Sequence, residues 1–265
     1  MTNVLILTTT RATARPFEYL EALLADIDEE QLPDDIRKFI VLDGTPAELE
    51  QLRAVVAELH TEGRPWEIVL YEKSHDAYLG GNKPAYWHVL ELALTLGDDA
   101  LVLEDDLESC NNATTRAVLF PVPSDVDIVQ FYSGFSIMHP KTDAGLWRSP
   151  AKFAGTQSVK YPLRTLERLV EWKKASEFLK YTGSDQAIGL ARSRLGLRLA
   201  HHVPDVYQHA GARSAVDAGT VLEAGITDGE TLARLEHSLI GRTSVTWPGR
   251  SFDAMRLFAC HELYK

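Results

Sequence analysis

Three consecutive acids, Glu104-Asp105-Asp106, follow directly on the apolar run Ala100 to Leu103. A run with no polar residue reads as a strand covered on both faces, and ligands of open α/β sheets bind beyond the carboxyl ends of such strands. Carboxylates packed this closely repel one another unless a cation shares them, so a divalent metal is their natural partner. Side chains alternate along an extended chain, which would turn Glu104 and Asp106 one way and Asp105 the other. On that geometry Asp106 reaches a metal while Asp105 contacts a ligand hydroxyl. The plain alternative is a solvated acidic turn after a buried strand. His209, in the run Val203 to Gly211, again stands just beyond a predicted strand. A lone histidine is more often structural than a ligand, yet an oxygen-rich site with one imidazole suits Mn2+, or Mg2+, and not a thiolate zinc site.

The elements that must position these groups alternate between short β-rich runs and helical stretches, the pattern of an α/β domain with a largely parallel sheet. Strands are expected at 4–7, 39–42, 66–71, 100–103, 127–131, 153–159 and 197–203. Between them, 16–27 carries apolar residues at helical spacing. Pro46 to Leu59 begins after Thr45, an N-cap followed by proline at the first helical position. A glycine turn, Gly80-Gly81, opens a helix that starts near Lys83 and Pro84 and runs to about Leu96. Further helices are expected at 114–120, at 164–178, and from Thr182 or Ser184 through Arg192. From about Ala215 the pattern weakens, so the simplest organisation is one domain with a less regular C-terminal part.

Bulk properties exclude several classes. The 265 residues are 45% hydrophobic and 25% charged, with 17 glycines and 12 prolines, values of a folded globular chain. No stretch reaches the ~18 apolar residues a bilayer span needs, and the first residues read as a strand and not as a signal peptide. Only Cys110 and Cys260 are present, too far apart in sequence for a CxxC pairing, so a reducing, cytoplasmic setting fits. A formal charge of −11 opposes polyanions in general. DNA is therefore a disfavoured partner, reachable only through a local basic face such as Arg148, Lys152 and Lys160.

Taken together, the motifs resemble those of GT-A glycosyltransferases. Glu104-Asp105-Asp106 is similar to the DxD-type acidic motif in the EDD form of N-acetylglucosaminyltransferases. The resemblance extends to Thr8-Thr9-Thr10-Arg11 after the first strand, Asp43 after the second, and Asn82-Lys83 opening the helix before the acidic strand. It includes Gly183-Ser184-Asp185-Gln186, similar to the acceptor-side acidic motif, and His209-Ala210-Gly211, similar to the C-terminal metal histidine. It implies a Rossmann-like mixed, mostly parallel sheet flanked by helices in a single domain, with a core over 1–214 and an extension over 215–265 packed on it. It further implies Asp106 and His209 on Mn2+ or Mg2+, Glu104 and Asp105 at the donor, and Thr8, Thr9, Thr10, Arg11, Asp43 and Asn82 around the nucleoside of a nucleotide sugar, most naturally a UDP-sugar. Lys83 stands beside a glycine turn and helix N-terminus, a ready anion site, and Arg213 is a second cation; an exposed surface lysine is the alternative for Lys83.

An inverting transfer needs a base for the acceptor hydroxyl, and Asp185 is the candidate. Thr182-Gly183-Ser184-Asp185 equally has capping-box spacing, which gives that acid a structural role. The acceptor is expected to be a saccharide, a glycan or a modified biopolymer such as hydroxymethylated DNA. Two other classes stay open. A sugar-phosphate nucleotidyltransferase would carry a glycine-rich basic loop after the first strand, whereas Thr8 to Ala14 contains no glycine. A binding protein that has lost turnover is the third.

Overall fold

The computed structural model describes residues 2–10, 17–59, 66–72, 83–109, 112–132, 145–148, 153, 155–174, 184–203 and 206–209. The first strand, β1 (Thr2–Thr10), is followed by helix α1 (Phe17–Glu29), strand β2 (Arg37–Gly44), helix α2 (Pro46–Leu59) and strand β3 (Glu67–Glu72). Leu20, Leu23, Leu24 and Ile27 of α1 recur at helical spacing and are all buried, giving the single apolar stripe that seats the helix on the sheet. The start of α2 is fixed locally. Thr45 donates both its backbone N–H, at 2.8 Å, and its hydroxyl, at 2.9 Å, to Glu48 Oε2, while the Glu48 N–H lies 3.5 Å from the Thr45 hydroxyl. This is a capping box with proline at the first helical position. Gly44 sits close against the helix start, since a Cβ there would stand 3.0 Å from that of Glu48 and crowd it.

The chain continues through α3 (Lys83–Leu96), β4 (Asp99–Glu104), β5 (Leu107–Ser109), α4 (Ala113–Leu119), β6 (Ile128–Gln130), β7 (Gly145–Arg148) and β8 (Ser158–Tyr161). Helices α5 (Leu163–Lys174) and α6 (Ser184–Leu195) and strands β9 (Leu199–Val203) and β10 (Tyr207–His209) follow among the described residues. Eight strands form one sheet in the order β3-β2-β1-β4-β8-β6-β9-β7. Strands β3, β2, β1 and β4 run parallel, β8 is antiparallel to both β4 and β6, β9 is parallel to β6, and β7 closes the far edge antiparallel to β9. The expected mixed, mostly parallel sheet flanked by helices is the architecture observed. Successive residues of the central strands serve opposite layers: Leu5, Ile40, Leu42, Leu101 and Leu103 pack with α1 and α4, whereas Val4, Ile6, Phe39, Val41, Ala100 and Val102 pack with α3, α5 and α6. Burial on both faces is why these strands lack polar alternation.

Sequence and structure part at a few elements. The strand expected at 153–159 pairs only over Ser158–Tyr161. The three-residue strand β5 and the short strands β7 and β10 carry no periodic signal, and no expectation covered them. Expectations for residues beyond 209, Arg213 and the 215–265 extension among them, lie outside the described residues. Among the described residues no helix is long and apolar enough to cross a membrane.

The largest correction concerns Lys160. Far from joining a basic surface, it is 2% exposed and donates to the carbonyls of Ala117, Val118 and Phe120 at 3.1, 2.6 and 2.7 Å. The lysine thereby satisfies the orphan carbonyls at the end of α4 and sits at the favourable pole of its dipole. At the other end, Glu30 accepts the N–H groups of Thr114 and Thr115 at 3.0 and 2.6 Å. A seven-residue helix is too short to persist alone; the half-buried Glu30 just past α1 and the buried Lys160 of β8 clamp it at both ends. His201 and His202 are core residues, as expected of a strand interior, with His202 packed against Phe120 and Phe131.

Burial, opposed by Asp99, pushes the Lys160 amine down to about 8 from 10.5. Between those values the unfolded chain retains a proton that the folded chain has released, so stability rises with pH across that window. Urea melts should show Lys160→Met destabilised by about 2–4 kcal/mol at neutral pH, because three buried carbonyls lose their donor. The stability of the wild type relative to Lys160→Met should then increase from pH 8 to 10.5.

Candidate active site

The carboxyl ends of β2, β1 and β4 meet in register. Thr10 lies opposite Asp43, and Thr8 stands between Val41 on one side and Glu104 on the other. Parallel pairing thus gathers Thr8, Thr9, Thr10, Asp43 and Glu104 at one end of the sheet; the three threonines and Asp43 were expected just after their strands and instead lie within β1 and β2. Lys83 begins α3; Arg11 and Asn82 lie outside the described residues.

Beyond β4 the chain bends through Asp105 and Asp106 into β5. The solvated-turn alternative fails here: Glu104, Asp105 and Asp106 are 3%, 6% and 1% exposed, and Asp43 is fully buried. Adjacent buried carboxylates are costly in a low dielectric, and cations or hydrogen-bond donors offset that cost. One donor is identified. The Thr156 hydroxyl donates to Glu104 Oε1 at 2.6 Å and stands 3.3 Å from the Ser184 hydroxyl at the start of α6. The first turn of α6, which carries Asp185, is therefore held against the acidic segment, with its positive pole on that side. Ser184 opens α6 as described, and Thr182, the other expected cap, lies outside the described residues.

A second junction brings in His209. Strand β10 pairs antiparallel with β5, placing Tyr207 opposite Ser109, Gln208 opposite Glu108 and His209 opposite Leu107. The backbone of His209 therefore stands across from the residue next to Asp106. Two further bonds fix β10: the buried Tyr207 hydroxyl donates to Thr114 Oγ1 at 3.1 Å, and the Val206 N–H donates to the Phe131 carbonyl at 3.0 Å. His209 thus belongs to a short strand of its own. Among the described side chains no three His, Cys, Asp or Glu groups close on a point that could hold a metal; the His209 imidazole is not among those side chains.

Some neighbours of the site carry no sequence motif. Tyr86 and Tyr161 are fully buried and share a hydroxyl hydrogen bond of 2.9 Å. Burial pushes both phenols up, and the nearby Glu104 adds to it, so both stay neutral in the core and one hydroxyl donates to the other. Tyr86, an aromatic that could have stacked on a ligand ring, is therefore a packing residue. Tyr71 lies opposite Asp43 on β3, with its ring 5.0 Å from that of His88 on α3. Burial, then Asp43 and Glu91, raise its hydroxyl as well. Only strand register reveals this pair, since nothing in the local sequence marks either residue.

No protein-family model matches the chain, and no curated protein matches it. Among solved structures, mouse xyloside xylosyltransferase 1 in its apo form overlaps with a TM-score of 0.42 and 11% identity, over 75% of this chain and 83% of that one. The inositol-1-phosphate CTP transferase of T. maritima overlaps with 0.49 and 9%, over 92% and 98%. A nucleoside-diphosphate-sugar pyrophosphorylase from Vibrio cholerae overlaps with 0.38 and 12%, over 75% and 91%. At such scores the chemistry of the site has to rest on its own residues.

Tyr207→Phe should lower stability by about 1 kcal/mol, the worth of one buried hydrogen bond. By loosening β10 it should also quicken hydrogen exchange over 107–109 and 207–209, while Tyr19→Phe on α1 leaves those rates unchanged.

Proposed function

We propose that the chain is a metal-dependent glycosyltransferase that moves a sugar from a nucleoside-diphosphate donor, a UDP-sugar, to an acceptor hydroxyl. The observation that carries this reading is the β5–β10 ladder, which sets His209 across from Leu107 and so beside Asp106. Asp106 and His209 would hold Mn2+ or Mg2+, with Asp105 toward a donor hydroxyl. When bound, the ion supplies neutralisation of the charge that develops on the departing diphosphate.

The remaining roles fall to this chain's own groups. Thr8, Thr9, Thr10, Arg11, Asp43 and Asn82 surround the nucleoside, and Tyr71 with His88 offers it an aromatic wall beside Asp43. Lys83, at the N-terminus of α3, meets diphosphate oxygens together with that helix pole. Asp185, in the first turn of α6, accepts the proton of the acceptor hydroxyl as its oxygen attacks the anomeric carbon and the bond to the diphosphate breaks, with inversion. A saccharide or glycan acceptor is favoured over DNA, because burial of Lys160 removes one of the cations a basic face would need.

Calorimetry with UDP and Mn2+ tests the metal assignment: Asp106→Ala should abolish metal-dependent UDP binding, and unchanged affinity would remove Asp106 from the ion. Asp185→Asn should retain UDP binding yet lower turnover by about 10²-fold or more, measured as Mn2+-dependent UDP release from a panel of UDP-sugars with saccharide acceptors. Pyrophosphate release from UTP and a sugar phosphate would point instead to nucleotidyl transfer.

A further inference from the structure

We infer that Thr156 is a positioning residue that couples the acidic turn to the first turn of α6, with Glu104 serving as an internal anchor and not as a ligand of the donor. The coupling rests on the transferase reading for its catalytic meaning, though not for its structural content. Thr156 has a single hydroxyl proton, and at 2.6 Å it is given to Glu104 Oε1. At the 3.3 Å contact Ser184 must then be the donor. The result is a directed chain, Ser184 to Thr156 to Glu104, ending on a carboxylate, where hydrogen bonds are strongest and polarise one another. Its three members are 5%, 3% and 3% exposed, so water does not compete for these bonds.

The segment bearing Thr156 is built to hold it there. Glu104 donates its N–H to the Gln157 carbonyl at 2.8 Å, so backbone and side chain of one residue grip neighbouring positions of the other segment. Gln130 Nε2 donates to the Gly155 carbonyl at 2.7 Å. Gly155 itself has φ +80, which L side chains rarely adopt, and a Cβ there would collide with the Gln157 side chain. Glu104 shares its face of β4 with Ala100 and Val102, the face packed under α3, α5 and α6. Its carboxylate is thus spent on fixing the strand end, from which Asp105 and Asp106 depart. A shift of the acidic turn is passed to the helix turn carrying Asp185, and a shift of that turn is passed back.

Thr156→Val keeps the shape and removes the hydroxyl; Thr156→Ser restores the hydroxyl. Hydrogen exchange on the full-length protein should quicken in Thr156→Val over both 104–109 and 184–188, with β2 and β3 unchanged and Thr156→Ser at wild-type rates. Should Thr156→Val fail to fold, Ser184→Ala reads the same link from its other end. In Mn2+-dependent UDP release from UDP-glucose and UDP-N-acetylglucosamine, kcat should fall on the order of tenfold to a hundredfold in Thr156→Val, as small misplacements of reacting groups do. Affinity for UDP with Mn2+ should hold, and Thr156→Ser should recover most of kcat. Quickened exchange at only one of the two segments, or equal damage from valine and serine, overturns the coupling and leaves Thr156 a packing residue. If the wild type releases no UDP from any donor with Mn2+, the transferase reading falls separately, and the exchange comparison still decides the coupling.

Discussion

A ladder only three residues long, Leu107–Ser109 against Tyr207–His209, joins parts of the chain a hundred positions apart, and the geometry of the site follows from it. Two short strands alone are marginal in water. This pair persists because Leu107, Val206 and Tyr207 are buried in the layer formed by α1 and α4, and because Tyr207 finds a hydroxyl partner on α4. Helix α4 in turn depends on Glu30 and Lys160. The position of His209 is therefore inherited from a core of apolar contacts and from two charged side chains, the half-buried Glu30 and the buried Lys160.

The opposite side of the acidic turn is supported in a different way. There the apolar layer is interrupted by hydroxyls, those of Tyr86, Tyr161, Thr156 and Ser184, around one carboxylate. A buried polar group that finds partners rigidifies its surroundings, whereas an unsatisfied one would destabilise them. Glu104 meets that condition through side chain and backbone together. The turn between β4 and β5 is consequently pinned from both faces of the sheet, one greasy and one hydrogen-bonded, and the two aspartates occupy the narrow region between.

What could be read from the amino-acid order was whatever has a period or a terminus. Ala100 to Leu103 announced a doubly covered strand, and Thr45-Pro46 set the start of α2 at the observed residue. The convergence of Thr10, Asp43 and Glu104 followed once the strands were parallel neighbours, because parallel strands present their ends together. Strands β5 and β10 were illegible, since three residues cannot display alternation, and their stability is tertiary. Lys160 was misread because lysine is an exposed residue by habit, and nothing near it in sequence hints at three carbonyls forty or more positions away. Thr156 and the Tyr71–His88 pair were missed for the same reason: their partners are distant in the chain.

The junction between β2 and α2 has a consequence for adaptation. A side chain at Gly44 would crowd Glu48, and Thr45 and Glu48 close on one another within the next turn. The polypeptide passes from strand to helix without slack, so an inserted residue would disrupt the cap and the close fit at once. Drift toward a different ligand is thereby steered away from the rim that carries Asp43.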